Sequence, residues 1–300
     1  MNLHKIFSTF FHNKKTIFLV ICISSLSFST AQTKRALVIG IGLQEDTSWS
    51  KINGDKDIPY VVEMLKNAGY KQISICKNEY ATKAGIISSF KKLSLSCEKG
   101  DIVYVHFSGH GQQMKDLQKD EEDRLDECWI PYDAYRKPCK NDRGEKHLTD
   151  DEINVLLTNI SNKVGEKGKL LVIIDACHSG DGTRGQEDVV RGVEDIFKAI
   201  KTYFTKAQKK AIVSNICPYK ERWITLSACE SNQMNIEMKK PEVGKLTYAI
   251  YTMVKNKELG NNAEWFKRLK MFVNMNTGSR PQRPVMSGEV TKFNISDMYR

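Results

Sequence analysis

The sequence predicts an α/β fold in which a mostly parallel central sheet is flanked by helices. Along the chain, short apolar runs alternate with longer stretches in which apolar residues recur every three or four positions. Strands that alternate with helices in this way are typical of a parallel sheet covered on both faces. The composition, 40% hydrophobic and 27% charged, is ordinary for a soluble globular protein.

The first strands and helices are predicted between residues 35 and 107. RALVIGIG is an unbroken apolar run that ends in Gly, which predicts a fully buried strand. The helix after it ends at Gly69, and Gly100-Asp101 turns the chain into a later strand. In order, the predicted elements are a strand at 35–42, a helix at 58–65, a strand at 72–76, a helix at 86–93 and a strand at 102–107.

The alternation continues in the second half of the chain. Thr149 and Glu152 have the spacing of a capping box, which predicts the start of a helix. The predicted elements are a helix at 153–160, the strand KLLVIID (169–175), the strand RWITLSAC (222–229) and a helix at 246–254. Two segments interrupt this order: an acidic loop and hairpin near 113–147, and a polar, Lys-rich segment at about 181–221 that we expect at the surface and open to cleavage.

The N-terminal residues have a different pattern. Lys5, Lys14 and Lys15 precede the apolar run TIFLVICISSLSFSTA, which contains no acid and ends in small residues. This pattern predicts a secretory signal peptide over residues 1–31, with Ala31 as the last residue before cleavage. The alternative is a retained membrane anchor, although the run is shorter than the roughly 20 residues that span a bilayer. We therefore expect an exported domain at 32–300, periplasmic or secreted, without stable membrane insertion after cleavage.

The formal net charge of +10 is spread along the chain rather than concentrated. The short basic stretches KAQKK (206–210) and MKKP (238–241) lack interleaved aromatic residues. They are more simply explained as solvated helix faces than as a nucleic-acid groove. The charge pattern therefore argues against a nucleic-acid partner.

The cysteines predict at least one unpaired thiol. Seven of them follow the predicted signal peptide, at positions 76, 97, 128, 139, 177, 217 and 229. An odd number cannot pair completely, and the wide, irregular spacing is typical neither of a disulfide framework nor of a zinc site.

Two predicted strands end in reactive side chains. IVYVHFSGHG leads to His110, and LLVIIDACHSG leads to Cys177, each at the carboxyl end of a strand, where functional groups gather in such sheets. If the strands are neighbours, a thiol and an imidazole face one cleft, the minimum set for cysteine nucleophilic catalysis. Gly109 and Gly111 leave the backbone unobstructed, so the amides of Gly111 and Cys177 would form an oxyanion hole.

Other histidines are weaker candidates for this chemistry. His178 is adjacent to Cys177, but successive side chains diverge, which makes it the poorer base. His106 lies within the strand and is most simply a packed, hydrogen-bonded residue. A metal pair of His106 and His110 fits badly, because the i,i+4 spacing brings two ligands together on a helix and this segment is predicted as strand and loop.

The boxes FSGHG and DACHSG resemble the histidine and cysteine boxes of the caspase-type cysteine peptidases, and among these the bacterial metacaspase-like branch. Further similarity runs through VIGIG, INGDKDI, DRLDECWIPYD, ITLSACESNQ and GKLTYAI, so that it covers roughly residues 35–290. The resemblance implies the caspase-hemoglobinase fold and a cysteine endopeptidase that acts on proteins or peptides through a thioester acyl-enzyme. His110 would be its general acid/base and Cys177 its nucleophile.

The resemblance also implies a role for the carboxylate two residues before Cys177. Metacaspase-like enzymes carry Asp there and cleave after Arg or Lys, whereas caspases carry Gln and prefer Asp in the substrate. Asp175 falls at this position, and a carboxylate in a partly desolvated pocket would attract a cation, with arginine pairing best. Ser108 and Asp57 match family residues that line this pocket, although INGDKD is one residue shorter than the usual spacing. The alternative for Asp175 is a strand-end residue that caps the next loop.

Cys-His chemistry requires no cofactor, but calcium is a candidate ligand. The acidic run KDEEDRLDE (119–127) resembles a region that contributes to calcium binding in some metacaspases, and oxygen-rich clusters suit Ca²⁺. Acids in a surface loop are, however, more often only solvated. The residues that would bind a metal are therefore not assigned.

Related enzymes are cut during maturation in a segment that corresponds to 181–221. Self-cleavage in this segment is a hypothesis, and its basic residues supply the sites: Arg184, Lys198, Lys201, Lys206, Lys209 and Lys210.

A rival function of a different class is an inactive caspase-fold protein that scaffolds a partner. The intact pair His110 and Cys177 argues against it, because a binding module does not need both residues. The sequence does not predict the natural substrate or the oligomeric state.

Overall fold

The computed structural model describes residues 32–115, 125–177, 189–193, 197, 222–231, 233–275 and 281–300. The predicted signal peptide and most of the 181–221 segment lie outside these residues. Residues Thr33–Arg300 form one compact unit. No helix in the described ranges is long and apolar enough to cross a membrane.

The strands form one large sheet, a three-stranded sheet and a hairpin. They are β1 (Lys34–Gly40), β2 (Gln72–Lys77), β3 (Ile102–Ser108), β4 (Gly111–Lys115), β5 (Leu125–Trp129), β6 (Leu148–Thr149), β7 (Lys169–Asp175), β8 (Ile224–Ser227), β9 (Glu237–Lys239), β10 (Glu242–Gly244) and β11 (Val285–Gly288). The large sheet has the order β11-β8-β7-β3-β1-β2, and the small ones are β4-β5-β6 and β10-β9. All neighbours in the large sheet are parallel except β11 and β8.

In the described part of the chain, five α-helices cover the two faces of the large sheet. They are α1 (Asp57–Asn67), α2 (Lys83–Ser96), α3 (Asp150–Val164), α4 (Lys245–Lys255) and α5 (Asn262–Met275), with short 3₁₀ turns at Gly54–Lys56, Asn78–Tyr80 and Ile295–Tyr299. Ala36 and Val38 of β1 pack with α1, α4 and α5 in one apolar core. Leu37 and Ile39 point to the other face and pack with α2 and α3, because successive side chains of a strand alternate. The predicted α/β architecture is confirmed.

Local sequence signals account for several of these boundaries. The side chain of Thr149 accepts a hydrogen bond from the Glu152 amide, and the Glu152 carboxylate accepts one from the Thr149 amide. This capping box satisfies donors that the first turn of α3 leaves open. Gly69 follows α1 with a φ of 82°, a backbone conformation that favours glycine.

The prediction missed β11 and the β9–β10 hairpin, whose strands are only three or four residues long. It also missed α5, although Trp265, Leu269 and Val273 recur with helical spacing there. It was also wrong about part of the 181–221 segment. Val190, Arg191, Val193 and Phe197 are buried rather than at the surface, and Arg191 is 0% exposed. A polar segment can be buried when charged partners elsewhere in the fold satisfy it.

Candidate active site

The parallel pairing of β3 with β7 brings His110 and Cys177 to the same edge of the sheet. The two strands are neighbours, as predicted, and Ser108 faces Asp175 in the last residue pair of their register. His110 and Cys177 each follow two residues later, where the strands have ended. The imidazole and the thiol therefore belong to equivalent positions, each two residues beyond the end of one of two adjacent strands.

His110 is held as a neutral imidazole with one nitrogen available. Its Nε2 lies 2.8 Å from the Ser50 carbonyl oxygen, so Nε2 carries the proton and donates it. Within the described part of the chain, Nδ1 has no hydrogen-bond partner and is left as an acceptor. Burial lowers the pKa of His110 to about 4, although the bond to Ser50 acts in the opposite direction. The Trp49 ring packs against the imidazole, with 4.9 Å between ring centroids.

Cys177 is a buried thiol, and none of the six cysteines in the described ranges forms a disulfide. It packs with Val190, Cys229 and Ile236. The pKa of Cys229 lies well above its usual value. The main cause is a hydrogen bond with the Cys177 side chain, and burial is the second cause. Cys229 therefore remains a neutral thiol beside the candidate nucleophile.

Residues 189–193 lie across this site as a short added strand. The Arg191 amide donates to the Asn235 carbonyl oxygen (3.0 Å), and the Glu237 amide donates to the Val189 carbonyl oxygen (2.9 Å). Val190 and Ile236 form an antiparallel bridge between these bonds. An extended peptide bound by alternating main-chain hydrogen bonds is a common mode of peptide recognition.

The carbonyl of Arg191 points at the predicted oxyanion hole. Its oxygen accepts hydrogen bonds from the amides of both Cys177 (3.0 Å) and Gly111 (3.3 Å). The next residue, Gly192, lies directly against the thiol, since a Cβ on it would stand 2.5 Å from Cys177 Sγ. The Arg191–Gly192 peptide bond thus lies between the two amides and the thiol.

The Arg191 side chain enters a fully buried acidic pocket. Nη1 and Nη2 bind the two Asp57 carboxylate oxygens at 2.7 and 3.1 Å, and Nε binds Glu237 Oε1 at 2.8 Å. Nη1 also lies 3.3 Å from Asp175 Oδ1 and 3.1 Å from the Asp175 carbonyl oxygen. Burial alone would lower the pKa of Arg191, but the three carboxylates hold it well above its usual value.

A shell of polar groups holds the pocket acids in place. Ser108 Oγ donates to Asp57 Oδ2 at 2.6 Å and accepts from His106 Nε2 at 2.9 Å. Asp175 accepts bonds from the Asn235 side-chain amide and the Thr247 hydroxyl and amide. Burial opposes the ionisation of Asp175, but Arg191 and then these donors hold its pKa below the usual value. Burial likewise lowers the pKa of His106 to about 4.

The structure brings all of the predicted site residues together. Asp57 and Asp175 contact the Arg191 guanidinium, and Ser108 holds Asp57. The amides of Gly111 and Cys177 bind the Arg191 carbonyl oxygen, and His110 precedes Gly111 at the end of the neighbouring strand. Sequence reasoning missed Glu237, Asn235, Ser50, Trp49 and Arg191 itself, which lie outside the two boxes. Thr247 had a signal, because it lies in the segment GKLTYAI.

A family model for the metacaspase peptidase C14 domain matches residues 34–183, half of the chain. The chain belongs to this family. Metacaspase-2 of Arabidopsis thaliana is 39% identical over 101 residues, a match that covers 34% of this chain and 22% of that protein. Metacaspase-1A of Aspergillus oryzae is 30% identical over 158 residues, covering 49% and 35%. Metacaspase-2 of Trypanosoma brucei brucei is 29% identical over 159 residues, covering 50% and 42%. The matched part of this metacaspase-family chain thus spans less than half the length of each of these relatives.

Solved structures support the fold of this metacaspase-family chain. A Geobacter sulfurreducens protein superimposes with a TM-score of 0.60 at 19% identity, covering 89% of this chain and 97% of its own. Caspase-1 from Spodoptera frugiperda superimposes with a TM-score of 0.55 at 11% identity, covering 87% and 90%. The caspase-type fold and the resemblance to a family of cysteine peptidases are therefore confirmed.

Several predicted features of this metacaspase-family chain lie outside the described residues. They are His178, Cys217, residues 119–124 of the acidic run, and the basic residues Arg184, Lys198, Lys201, Lys206, Lys209 and Lys210. Among the residues that are described, no group of three His, Cys, Asp or Glu side chains could hold a metal ion. Calcium binding and cleavage at those basic residues stay predictions.

Proposed function

We propose that the protein is a cysteine endopeptidase that cleaves peptide bonds after Arg, and less readily after Lys. The observation that carries this proposal is the position of Arg191, whose side chain fills an acidic pocket while its carbonyl oxygen accepts from Gly111 and Cys177. A substrate with a basic residue before the cleaved bond would bind in the same way. The family supports the peptidase class, and the geometry supports the preference.

The pocket chemistry favours a guanidinium. Asp57, Asp175 and Glu237 are all buried, so a substrate carboxylate would add a like charge in a site with little water. Arginine reaches Asp57 with two nitrogens and Glu237 with a third, a fork that the single ammonium of lysine cannot reproduce. We expect turnover in the order Arg, then Lys, with Asp and Leu far below.

In the proposed reaction, Cys177 is the nucleophile and His110 the general acid/base. His110 Nδ1 takes the thiol proton as Sγ bonds to the carbonyl carbon, and the amides of Gly111 and Cys177 stabilise the oxyanion. The imidazolium then returns the proton to the leaving nitrogen, which departs as an amine and leaves a thioester. Water, deprotonated by His110, hydrolyses the thioester to a carboxylate and restores the thiol.

The first test is a panel of fluorogenic peptides that differ only in the residue before the cleaved bond. Arg, Lys, Asp and Leu peptides are assayed with and without calcium, with Cys177→Ala as the control. Equal turnover after Asp and Arg would contradict the pocket assignment. Silence of the parent chain on every peptide, in both conditions, would favour the inactive scaffold.

The same placement makes Arg191–Gly192 the candidate bond for self-cleavage in the intact chain. Mass spectrometry of the purified parent should show one fragment ending at Arg191 and one beginning at Gly192. The Cys177→Ala chain should stay whole at this bond. Identical fragments from the two chains would contradict self-cleavage.

We also propose that the protein acts after export, with residues 1–31 removed as a signal peptide. The apolar run and its small-residue end support this location. N-terminal sequencing of the protein recovered from outside the cytoplasm tests it, and a retained Met1 would contradict cleavage.

A further inference from the structure

Beyond the candidate scissile bond, Gly192 and Phe197 each pair with the edge of another sheet. Gly111 of β4 bridges Gly192, and Met114 of β4 bridges Phe197, both in parallel orientation. The Phe197 amide donates to the Gln113 carbonyl oxygen at 2.8 Å. Since β4 is an outer strand of the β4-β5-β6 sheet, this edge is available to bind an extended peptide after its cleaved bond.

The Phe197 ring fills an apolar pocket beside this edge. It is 1% exposed and belongs to a cluster of buried residues that comprises Trp49, Met114, Cys128, Ile130, Ala134, Val193 and Phe197. The His147 ring packs on it, with 4.2 Å between centroids. Gly144 closes the pocket, because a Cβ there would lie 3.0 Å from the phenylalanine ring.

His147 presents an uncharged ring to the pocket. Its Nε2 donates to Gln112 Oε1 at 3.0 Å, and burial lowers its pKa to about 3. Among the described residues, the walls of the pocket other than Val193 come from residue 49 and residues 114–147, outside the segment that lies in the cleft. The pocket and its occupant are therefore supplied by separate parts of the chain.

We propose that this pocket is a substrate subsite that takes a large apolar side chain, best an aromatic one, at the sixth residue after the cleaved bond. Phe197 is the sixth residue after the Arg191–Gly192 bond and fills the subsite in the intact chain. The inference rests on the proposed function, because it takes residues 189–193 and 197 as bound like a substrate. It adds a second recognition point, on the far side of the scissile bond from the acidic pocket.

The test uses quenched fluorescent peptides with Arg before the cleaved bond and Phe, Leu, Ala or Asp at the sixth position after it. The enzymes are the self-cleaved parent and its Phe197→Ala variant, in which the subsite has no internal occupant. We expect kcat/KM for the Phe peptide to exceed that for the Ala peptide about 10- to 100-fold in the variant, from burial of one aromatic side chain. Equal kcat/KM for Phe and Ala in both enzymes would overturn the proposal.

Two further measurements distinguish a failure of the subsite proposal from a failure of the proposed peptidase function. A peptide amide that ends in Arg-Gly has only glycine after the cleaved bond, so release of glycine amide tests the peptidase alone. If this substrate is cleaved but kcat/KM is equal for the Phe and Ala peptides, only the subsite proposal is rejected. If no substrate is cleaved, the peptidase function is rejected. Met114→Ala in the pocket wall should reduce the Phe to Ala ratio, whereas Met275→Ala, at a 75% exposed position on α5, should preserve it.

Discussion

Gly192 lies so close to Cys177 that an added Cβ would stand 2.5 Å from Sγ and 2.5 Å from the Cys177 carbonyl oxygen. Neither atom can yield easily, because the Cys177 amide is held by its hydrogen bond to the Arg191 carbonyl oxygen. The position after the candidate scissile bond therefore has room only for glycine in the observed arrangement.

Gly192→Ala should slow self-cleavage about 10- to 100-fold, because the peptide bond is pushed away from the thiol. The intact chain is prepared with its thiols blocked as mixed disulfides, reductant starts the reaction, and fragments are followed by mass spectrometry. Gly260→Ala is the matched control, since its Cβ would meet the side-chain ends of Arg268 at 3.1 Å and Glu264 at 3.7 Å and no backbone atom within 4 Å. Cleavage of the Gly192→Ala chain at the parent rate would contradict the placement of this bond.

Arg191→Ala should destabilise the chain in a Cys177→Ala background. The change leaves Asp57, Asp175 and Glu237 buried without their counter-charge, a loss on the order of 3–5 kcal/mol. Thermal unfolding measures it, and benzamidine, a small amidinium ligand, should raise the Tm of this variant but not that of the parent. Arg222→Ala is the control, because its partner Glu166 has a 78% exposed side chain and such pairs contribute about 0–1 kcal/mol. A Tm that benzamidine leaves unchanged in the Arg191→Ala chain would argue against a cation pocket.

The free energy of unfolding should fall as the pH drops from about 6.5 toward 4. The pKa values of buried His106, His110 and His147 are about 4, 4 and 3, below the unfolded value of about 6.5, so the unfolded chain binds more protons in this window. The stability is fully present above pH 6.5, and each histidine costs about 1.4 kcal/mol per pH unit below it. The lowered pKa of Asp175 affects the free energy of unfolding only at still lower pH, where an unfolded aspartate binds a proton.

Urea unfolding of Cys177→Ala at a series of pH values measures this slope. His106→Gln keeps a polar side chain at the same place. It should reduce the slope of the unfolding free energy against pH by the amount that corresponds to about one bound proton. A stability that is flat between pH 4 and 6.5 would show that these histidines are accessible to protons in the folded chain.

Self-cleavage should persist at pH values where an ordinary histidine is protonated. His110 must be neutral to accept the thiol proton, and with a pKa of about 4 it remains so at pH 5.5. We expect the acid limb of the rate profile to lie below pH 5.5, measured on the intact chain over times in which circular dichroism shows no unfolding. A limb near pH 6.5 would indicate a solvated imidazole and contradict the buried arrangement.

The sequence alone determined five of the six strands of the large sheet, four of the five described α-helices and the candidate pair His110 and Cys177. Apolar runs and the Thr149–Glu152 capping box are local signals, and they predicted β1, β3, β7 and α3 because burial and capping act on neighbouring residues. His110 and Cys177 could be paired because adjacent parallel strands carry their ends to one edge.

Only the tertiary structure decided what lies in the cleft. Arg191 reaches Asp57 across 134 positions of sequence, and Glu237 joins them from a short hairpin that shows no periodicity. Such long-range charge pairs leave no local pattern, so the segment was predicted as surface from its polar composition. The segment can be buried because three buried carboxylates pair with the Arg191 guanidinium and two backbone amides bind the Arg191 carbonyl oxygen. The composition of the segment does not show these partners.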